Sequence, residues 1–317
     1  MERLKSIEEL SSIRDFLTEE VFIPGLNRIR VCCGLPCISL GSNKVVKAFE
    51  KLEEGISRKD LIIEIVRTGC EGLCQKGPVV RIEPYGYFYQ KVSPEKAQDI
   101  MCTYITGFPV RELLYRRSFL EQPIERMENI PFYKKQVKVA LRNTGNIDPL
   151  NIYHYMGAGG YSAIEKMFSS MSPEDVINEI KKSNLRGRGG AGFPSGIKWG
   201  YARKVPYAQK IVIANGDEGD PGAFMDRSVM EGDPHSLLEG MLICAYAVGA
   251  HHGFIYVRHE YPLAVKNLKI AIKQAGKLGL LGSNILGTGF DFAVHIRGEC
   301  RCFCMWRRNR SHGVNRR

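Results

Sequence analysis

Four cysteines stand in two closely spaced pairs, Cys32 and Cys37 with four residues between them, Cys70 and Cys74 with three. Each pair follows a run that reads as a strand, Arg28 to Cys32 and Leu61 to Val66, and Gly77-Pro78 turns the chain into the next one. Two strand-end loops side by side in a sheet can present four thiolates to one point. A [2Fe–2S] centre needs that set, two thiolates per iron. Structural zinc more often uses pairs two residues apart that wrap one ion, and it remains the alternative. Cys33 also forms a spaced pair with Cys37; Cys32 is preferred as the ligand, and Cys33 is read as a small buried side chain.

A second constellation runs from Asn184 to Trp199, NLRGRGGAGFPSGIKW. Glycines at 187, 189, 190, 192 and 196 let the backbone approach a ligand and aim N–H groups at it, which suits phosphate. Arg186, Arg188 and Lys198 supply charge for an anion. The letters of G-x-G-x-x-G fit Gly187, Gly189 and Gly192, but no strand immediately precedes them, and the Gly-Lys-Ser/Thr ending of a Walker loop is absent. Downstream, the β-prone run KIVIA enters the acidic turn Asn215 to Phe224. In an α/β sheet ligands sit beyond the strand carboxyl ends, so Asn215, Asp217, Glu218 and Asp220 are placed for ribityl or ribose hydroxyls. A solvated Asp-Gly turn is the plainer reading of that segment taken alone.

The elements that must position these groups alternate along the chain. Helix 6–18, strand 28–32, helix 42–52 and strand 61–66 come first, then strand pairs near 79–82 and 85–91 and a helix opened by Ser93-Pro94-Glu95. This order suits a small α/β layer fold such as thioredoxin. Residues 103–150 form a connector of weak periodicity. Beyond Asn151 and the glycines 157, 159 and 160, Ser172-Pro173-Glu174-Asp175 opens a helix with Val176, Ile177 and Ile180 on one face. Strand 210–214, helix 236–248, strand 253–257 and helix 261–275 then predict an α/β sandwich around a mostly parallel sheet.

Composition narrows the functional classes. A chain of 317 residues with 44% apolar and 25% charged side chains is globular and long enough for two domains. The most apolar stretch, residues 237–250, is too short and too glycine-bearing for a bilayer crossing, so no direct membrane insertion is expected. The N-terminus, MERLKSIEEL, lacks an apolar signal-peptide core, and a cytoplasmic location is the plain inference. There ten cysteines point to metal or cluster chemistry rather than disulfides. Of the formal charge of +11, residues 298–317 contribute +5, and the rest shows no basic stripe interleaved with aromatics. Nucleic acid is not expected as a partner.

IRVCCGLPCISLGS followed by RTGCEGLCQKGPVVRI resembles the thioredoxin-like [2Fe–2S] ferredoxin domain that accompanies flavoprotein subunits of NADH:quinone oxidoreductases and NAD(P)-linked hydrogenases. That family's C-x₄-C … C-x₃-C motif is met by Cys32, Cys37, Cys70 and Cys74, and the likeness covers about residues 1–110. The glycine loop and acidic turn, over about residues 135–297, resemble the flavin mononucleotide (FMN) core of the same subunits, with hallmarks G-R-G-G-A-G-F-P-T/S-G-x-K-W and N-x-D-E-x-E/D-P-G-x-F/Y. The resemblance implies an N-terminal thioredoxin-like domain, a linker at 111–134 and a Rossmann-like FMN domain incomplete at its end. It implies that Gly187, Arg188, Gly189, Gly190 and Lys198 cradle FMN, with Asn215, Asp217 and Glu218 completing its site. Phe193 would stack on the nicotinamide of NAD(P)H, Tyr201 would hold a second aromatic position, and Asp220 would contact the dinucleotide. Hydride transfer from NAD(P)H to FMN and release of single electrons to iron–sulfur clusters would follow, with no side chain acting as acid or base. The expected partners are other subunits of a multi-subunit oxidoreductase; a diaphorase subunit of a soluble hydrogenase or formate dehydrogenase is the alternative.

The family continues with a stretch like AGAYVCGEETALMNSIEG and a [4Fe–4S] domain. Here the chain reads ECRCFCMWRRNRSHGVNRR after Gly298, which offers either a C-x-C-x-C metal site or a reading-frame slip. Met305 and Trp306, read one base later, encode Cys-Gly, and suitable codons across 299–317 then spell SAGAFVCGEETEAMASIE. A slip is the preferred expectation; an inert truncated product that binds only the cluster, with a broken flavin site, is the rival reading outside enzymes.

Overall fold

Ile29 and Val31 alternate with Arg28, Arg30 and Cys32, so a strand built from them has one apolar and one polar face. In the computed structural model, which describes residues 3–21, 25–55, 62–118, 120–206, 209–220 and 222–297, Arg28–Cys32 is β1, buried along its whole length. It lies inside a four-stranded sheet of order β2-β1-β3-β4, with β2 Glu64–Thr68, β3 Val80–Glu83 and β4 Tyr87–Tyr89. β1 and β2 are parallel, from Arg28 opposite Glu64 to Cys32 opposite Thr68, while β3 runs antiparallel to both β1 and β4. A parallel pair needs a crossover, and the helix Ser42–Glu54 supplies it. Its Val45, Val46 and Phe49 pack with Ile29, Val31, Ile82 and Tyr89 in one core. This is the thioredoxin-like layer order expected.

Three details differ from the expected elements. The last hairpin strand stops at Tyr89, and the helix after Ser93 opens as a 3₁₀ turn, Pro94–Lys96, before Ala97–Met101. Ser93 makes no side-chain cap bond to that turn. The third difference is the segment 111–134, expected as a linker, which packs onto the first sheet. Single bridges tie Leu114 to Tyr89, Ile124 to Tyr115 and Arg126 to Tyr87. Ile130 and Tyr133 join a core with Cys32, Cys37 and Phe88. Isolated bridges have no repeat, so periodicity could not reveal them. The compact units accordingly divide elsewhere than at residues 110 and 135: one comprises Asp15–Gly159 with Glu231–Asp233, the other the residues up to Arg14, Gly160–Met230 and the chain from Pro234. The aberrant tail at 298–317 lies outside the described residues.

The second unit is built on β5 Ile211–Gly216, β6 His252–Val257 and β7 Ala293–Arg297, all parallel, in that order. The helices Pro234–Val248 and Pro262–Lys277 make the two crossovers. The capping box forms as its spacing demands: Ser172 Oγ accepts from the Asp175 amide at 3.2 Å, and the Ser172 amide donates to Asp175 Oδ2 at 2.9 Å. Val212, Ile255, Val257 and Val294 are buried on one sheet face, whereas Ile211 and Ile213 are 49% and 61% exposed on the other. The continuous apolar run of β5 reads as a strand covered on both sides; among the described residues it is covered on one.

Under the buried face His235 bonds Tyr161 Oη at 2.8 Å and Gln274 Oε1 at 3.1 Å. Burial holds its imidazole down at about 4. Between that value and the ordinary 6.5 the unfolded chain binds a proton that the folded one refuses. Stability is therefore full above pH 6.5 and is lost as pH falls towards 4. The unfolding free energy read by urea titration should fall by at most about 1.4 kcal/mol per pH unit in this window, and His235→Gln should flatten that slope. An equal slope in both proteins would refute the assignment.

Candidate functional site

The strand order brings the cysteine loops together. Cys32 closes β1, Cys37 lies in the helix Leu35–Ser39, and Cys70 and Cys74 follow the neighbouring β2. Cys32 and Cys37 are buried, while Cys70 and Cys74 are half-buried. The four sulfurs form one chain of contacts, Cys37 to Cys32, Cys32 to Cys70, and Cys70 to Cys74 at 3.6 Å. The hydrogen bond to Cys37, helped by burial, holds the Cys32 thiol above its usual range. Its partner Cys37 is held below the usual range by the same bond, and Cys70 is raised by its bond to Cys32 and by burial. Among the described residues no three or more His, Cys, Asp or Glu side chains close on a single metal ion. Two linked pairs suit a cluster with two thiolates per iron better than one tetrahedral zinc.

Cys33 takes the other side of the strand. Its amide donates to Thr68 O at 2.8 Å, its side chain packs with the core of Ile29 and Val45, and burial pushes its thiol up to about 11. Two glycines that the cysteine spacing does not single out make room for the sulfurs. A Cβ on Gly34 would stand 2.7 Å from Cys70 Cβ, and one on Gly77 would stand 2.8 Å from Cys37 Sγ. Their only signal in the sequence is adjacency, since each glycine sits inside or just after a cysteine pair.

The glycine loop is tied at its base: the Gly187 amide donates to Phe193 O at 2.9 Å, and the Ser195 amide donates to Leu185 O at 2.8 Å. Gly190 and Gly192 take φ of 98° and 62°, which other residues adopt only with strain. Beyond the loop the helix Ser195–Lys204 starts, and loop, helix and β5 enclose a cavity of about 530 Å³. Of the expected residues, Gly187, Gly189, Phe193 and Lys198 line it, joined by Trp199, Ile211, Ile213 and Cys244. Arg188, Gly190, Tyr201, Asn215, Asp217, Glu218 and Asp220 are not among its lining residues. A largely apolar chamber lined by glycine backbone and one lysine has the chemistry for a flat ring bearing a phosphate. Cys244 was not foreseen; burial pushes its thiol up to about 12, with Lys198 opposing.

The acidic turn departs from the expected ligand set. Asn215 Oδ1 accepts from the Asp217 amide at 3.0 Å, an Asx turn, and Asp220 is exposed. Glu218 is 7% exposed and faces inward. Its carboxylate accepts the amides of Met225, Asp226 and Arg227 and the Tyr261 hydroxyl, so it caps the helix Met225–Gly232. That geometry makes Glu218 a positioning residue, because a carboxylate committed to a helix N-terminus has little left for a flavin hydroxyl. Glu218→Ala should cost about 2–4 kcal/mol of stability, measured by urea unfolding; an unchanged midpoint would show that the cap is incidental.

The chain thus carries a thioredoxin-like sheet with two thiol pairs and a parallel α/β unit with a glycine-loop cavity. Residues 20–105 match the thioredoxin-like [2Fe-2S] ferredoxin family, and residues 180–298 match the Nuo51 FMN-binding domain. It is 53% identical over 164 residues to the HndC subunit of the NADP-reducing hydrogenase of Solidesulfovibrio fructosivorans, covering 52% of this chain and 33% of that protein. It is 45% identical over 167 residues to an F-type subunit of the NADH-quinone oxidoreductase of Rhizobium meliloti (strain 1021), covering 52% of this chain and 40% of the other. A solved thioredoxin-like [2Fe-2S] ferredoxin from Aquifex aeolicus is 29% identical, covering 28% of this chain and 88% of that one at a TM-score of 0.26. The match spans 33% and 40% of the length of the two curated subunits. No helix among the described residues is long and apolar enough to cross a membrane.

Proposed function

We propose that the chain is an electron-input subunit that oxidises NAD(P)H and delivers single electrons to iron–sulfur centres within a multi-subunit, cytoplasmic oxidoreductase. The observation behind this reading is the pairing, in one chain, of four contiguous cysteine sulfurs with a glycine-loop cavity. Bound FMN would take a hydride and release electrons one at a time, and a bound [2Fe–2S] cluster would accept one of them. Cys32, Cys37, Cys70 and Cys74 would hold the cluster; amides of Gly189 and Gly190 would take the flavin phosphate beside Arg188 and Lys198, with Gly187, its own amide bonded to Phe193 O, closing the base of the loop. Asn215 and Asp217 take ribityl hydroxyls. Phe193, 48% exposed at the cavity mouth, is free to lie against a nicotinamide, with Tyr201 and Asp220 further out on the dinucleotide's path. The hydrogenase relative, matched at the higher identity, favours a diaphorase role over a quinone-linked one.

The test is anaerobic reconstitution of the full chain with iron, sulfide and FMN, followed by NADH or NADPH. Tight flavin, an EPR signal from a reduced [2Fe–2S] centre and bleaching of flavin absorbance by either coenzyme are expected. A chain that binds zinc in place of iron, or flavin that neither coenzyme bleaches, would overturn the reading.

A further inference from the structure

Electrons tunnel best where a redox centre comes nearest the surface. Cys32 and Cys37 are buried, whereas Cys70 and Cys74 are half-buried and Gly72 between them is exposed. The way in or out of this centre is therefore the Cys70–Cys74 loop. Two exposed apolar side chains flank it. The Phe132 ring lies 3.2 Å from where a Cβ on Gly72 would stand, and Leu40 Cδ1 comes equally close to one on Gly77. They are 43% and 57% exposed.

The exposed charge on the segments flanking this rim is mainly basic. Residues 131–142 hold Lys134, Lys135, Lys138 and Arg142 and no Asp or Glu. The Tyr133 hydroxyl donates to Glu71 O at 2.8 Å, which fastens that segment to the loop. On the far side Lys76 Nζ donates to Arg116 O at 2.6 Å and Arg117 O at 3.3 Å, bringing a second basic pair to the same rim. Glu71, the carboxylate inside the loop, is buried, and Glu121 is paired with Arg117 at 2.7 Å. A small apolar centre in a mainly basic collar is the form of transient redox interfaces, where charge steers encounter and little area is buried.

We propose that this rim is the docking surface for the acidic face of a one-electron carrier protein, a reading that rests on the cluster assignment above. The exchange moves one electron and no atoms: the thiol-held centre is oxidised by one as the carrier is reduced by one. The test uses the full chain, reduced with dithionite and freed of excess reductant, against acidic cytochrome b5 and basic cytochrome c. Cytochrome b5 should be reduced faster at low ionic strength, with a rate that falls about tenfold or more as salt is raised. Lys134→Glu with Lys135→Glu, both exposed, should slow cytochrome b5 by a similar factor, speed cytochrome c and leave the EPR signal unchanged. A salt-independent cytochrome b5 rate, or one indifferent to the charge reversal, would overturn the proposal. Titration calorimetry with oxidised cytochrome b5 needs no cluster, so failure of the cluster reading shows as absent EPR while the surface is still decided by binding. A DNA duplex that binds more tightly than cytochrome b5 and is lost in the same variant would reassign the surface to nucleic acid.

Discussion

Cys37→Ala should strip the chain of iron and sulfide, whereas Cys33→Ala should leave both in place. The two thiols are four residues apart in sequence and belong to different environments. Cys37 is 1% exposed and sits in the sulfur chain through Cys32. Cys33 lies across the strand, packed against core side chains and away from the chain of sulfurs. Losing a direct ligand should exceed the roughly 10–100-fold penalty of losing an outer-shell partner. Loss of the small Cys33 side chain should cost about 1 kcal/mol of stability and no metal. Iron and sulfide analysis with low-temperature EPR reads both variants. Equal cluster content in the two would mean that the ligand set is misassigned.

Gly189→Val should expel FMN from an otherwise intact protein. A Cβ built on Gly189 meets nothing within 4 Å, so the free fold accepts a side chain there. The new bulk is felt only by a ligand approaching the loop backbone. Loss of the amide contacts, about 1–3 kcal/mol for each buried polar group left unpaired, puts the expected fall in affinity at roughly 100-fold. Gly196→Val is the contrasting control. Its Cβ would stand 2.6 Å from the Lys181 amide nitrogen, so it should unfold the local packing. Flavin fluorescence on binding, with a thermal melt beside it, separates the two effects. Wild-type flavin affinity in Gly189→Val would place the phosphate elsewhere.

Much of the site was legible because its chemistry is local. Thiol spacing at strand ends, the Ser172–Asp175 capping box and the positive-φ glycines of the loop each depend on a few consecutive residues. The acidic turn shows where locality fails. Its letters present a row of hydrogen-bonding side chains, but whether an oxygen serves a ligand or the protein depends on what folds against it. For Glu218 that proved to be a helix N-terminus eight residues on and Tyr261 from a later element. Segment 111–134 shows the same limit: single bridges and two buried rings bind it to the first sheet, and none of them leaves a repeat in the sequence.

By itself the sequence determined the two folds, the two paired cysteine loops and the glycine loop with its positive-φ positions, since residue type and short spacing suffice for these. The tertiary structure decided which face of β1 each of two adjacent cysteines takes, and that Glu218 caps a helix. It also decided that Trp199, Ile213 and Cys244 wall the cavity. Those outcomes follow from contacts between residues distant along the chain, where burial and hydrogen-bond competition, not local preference, choose the partner.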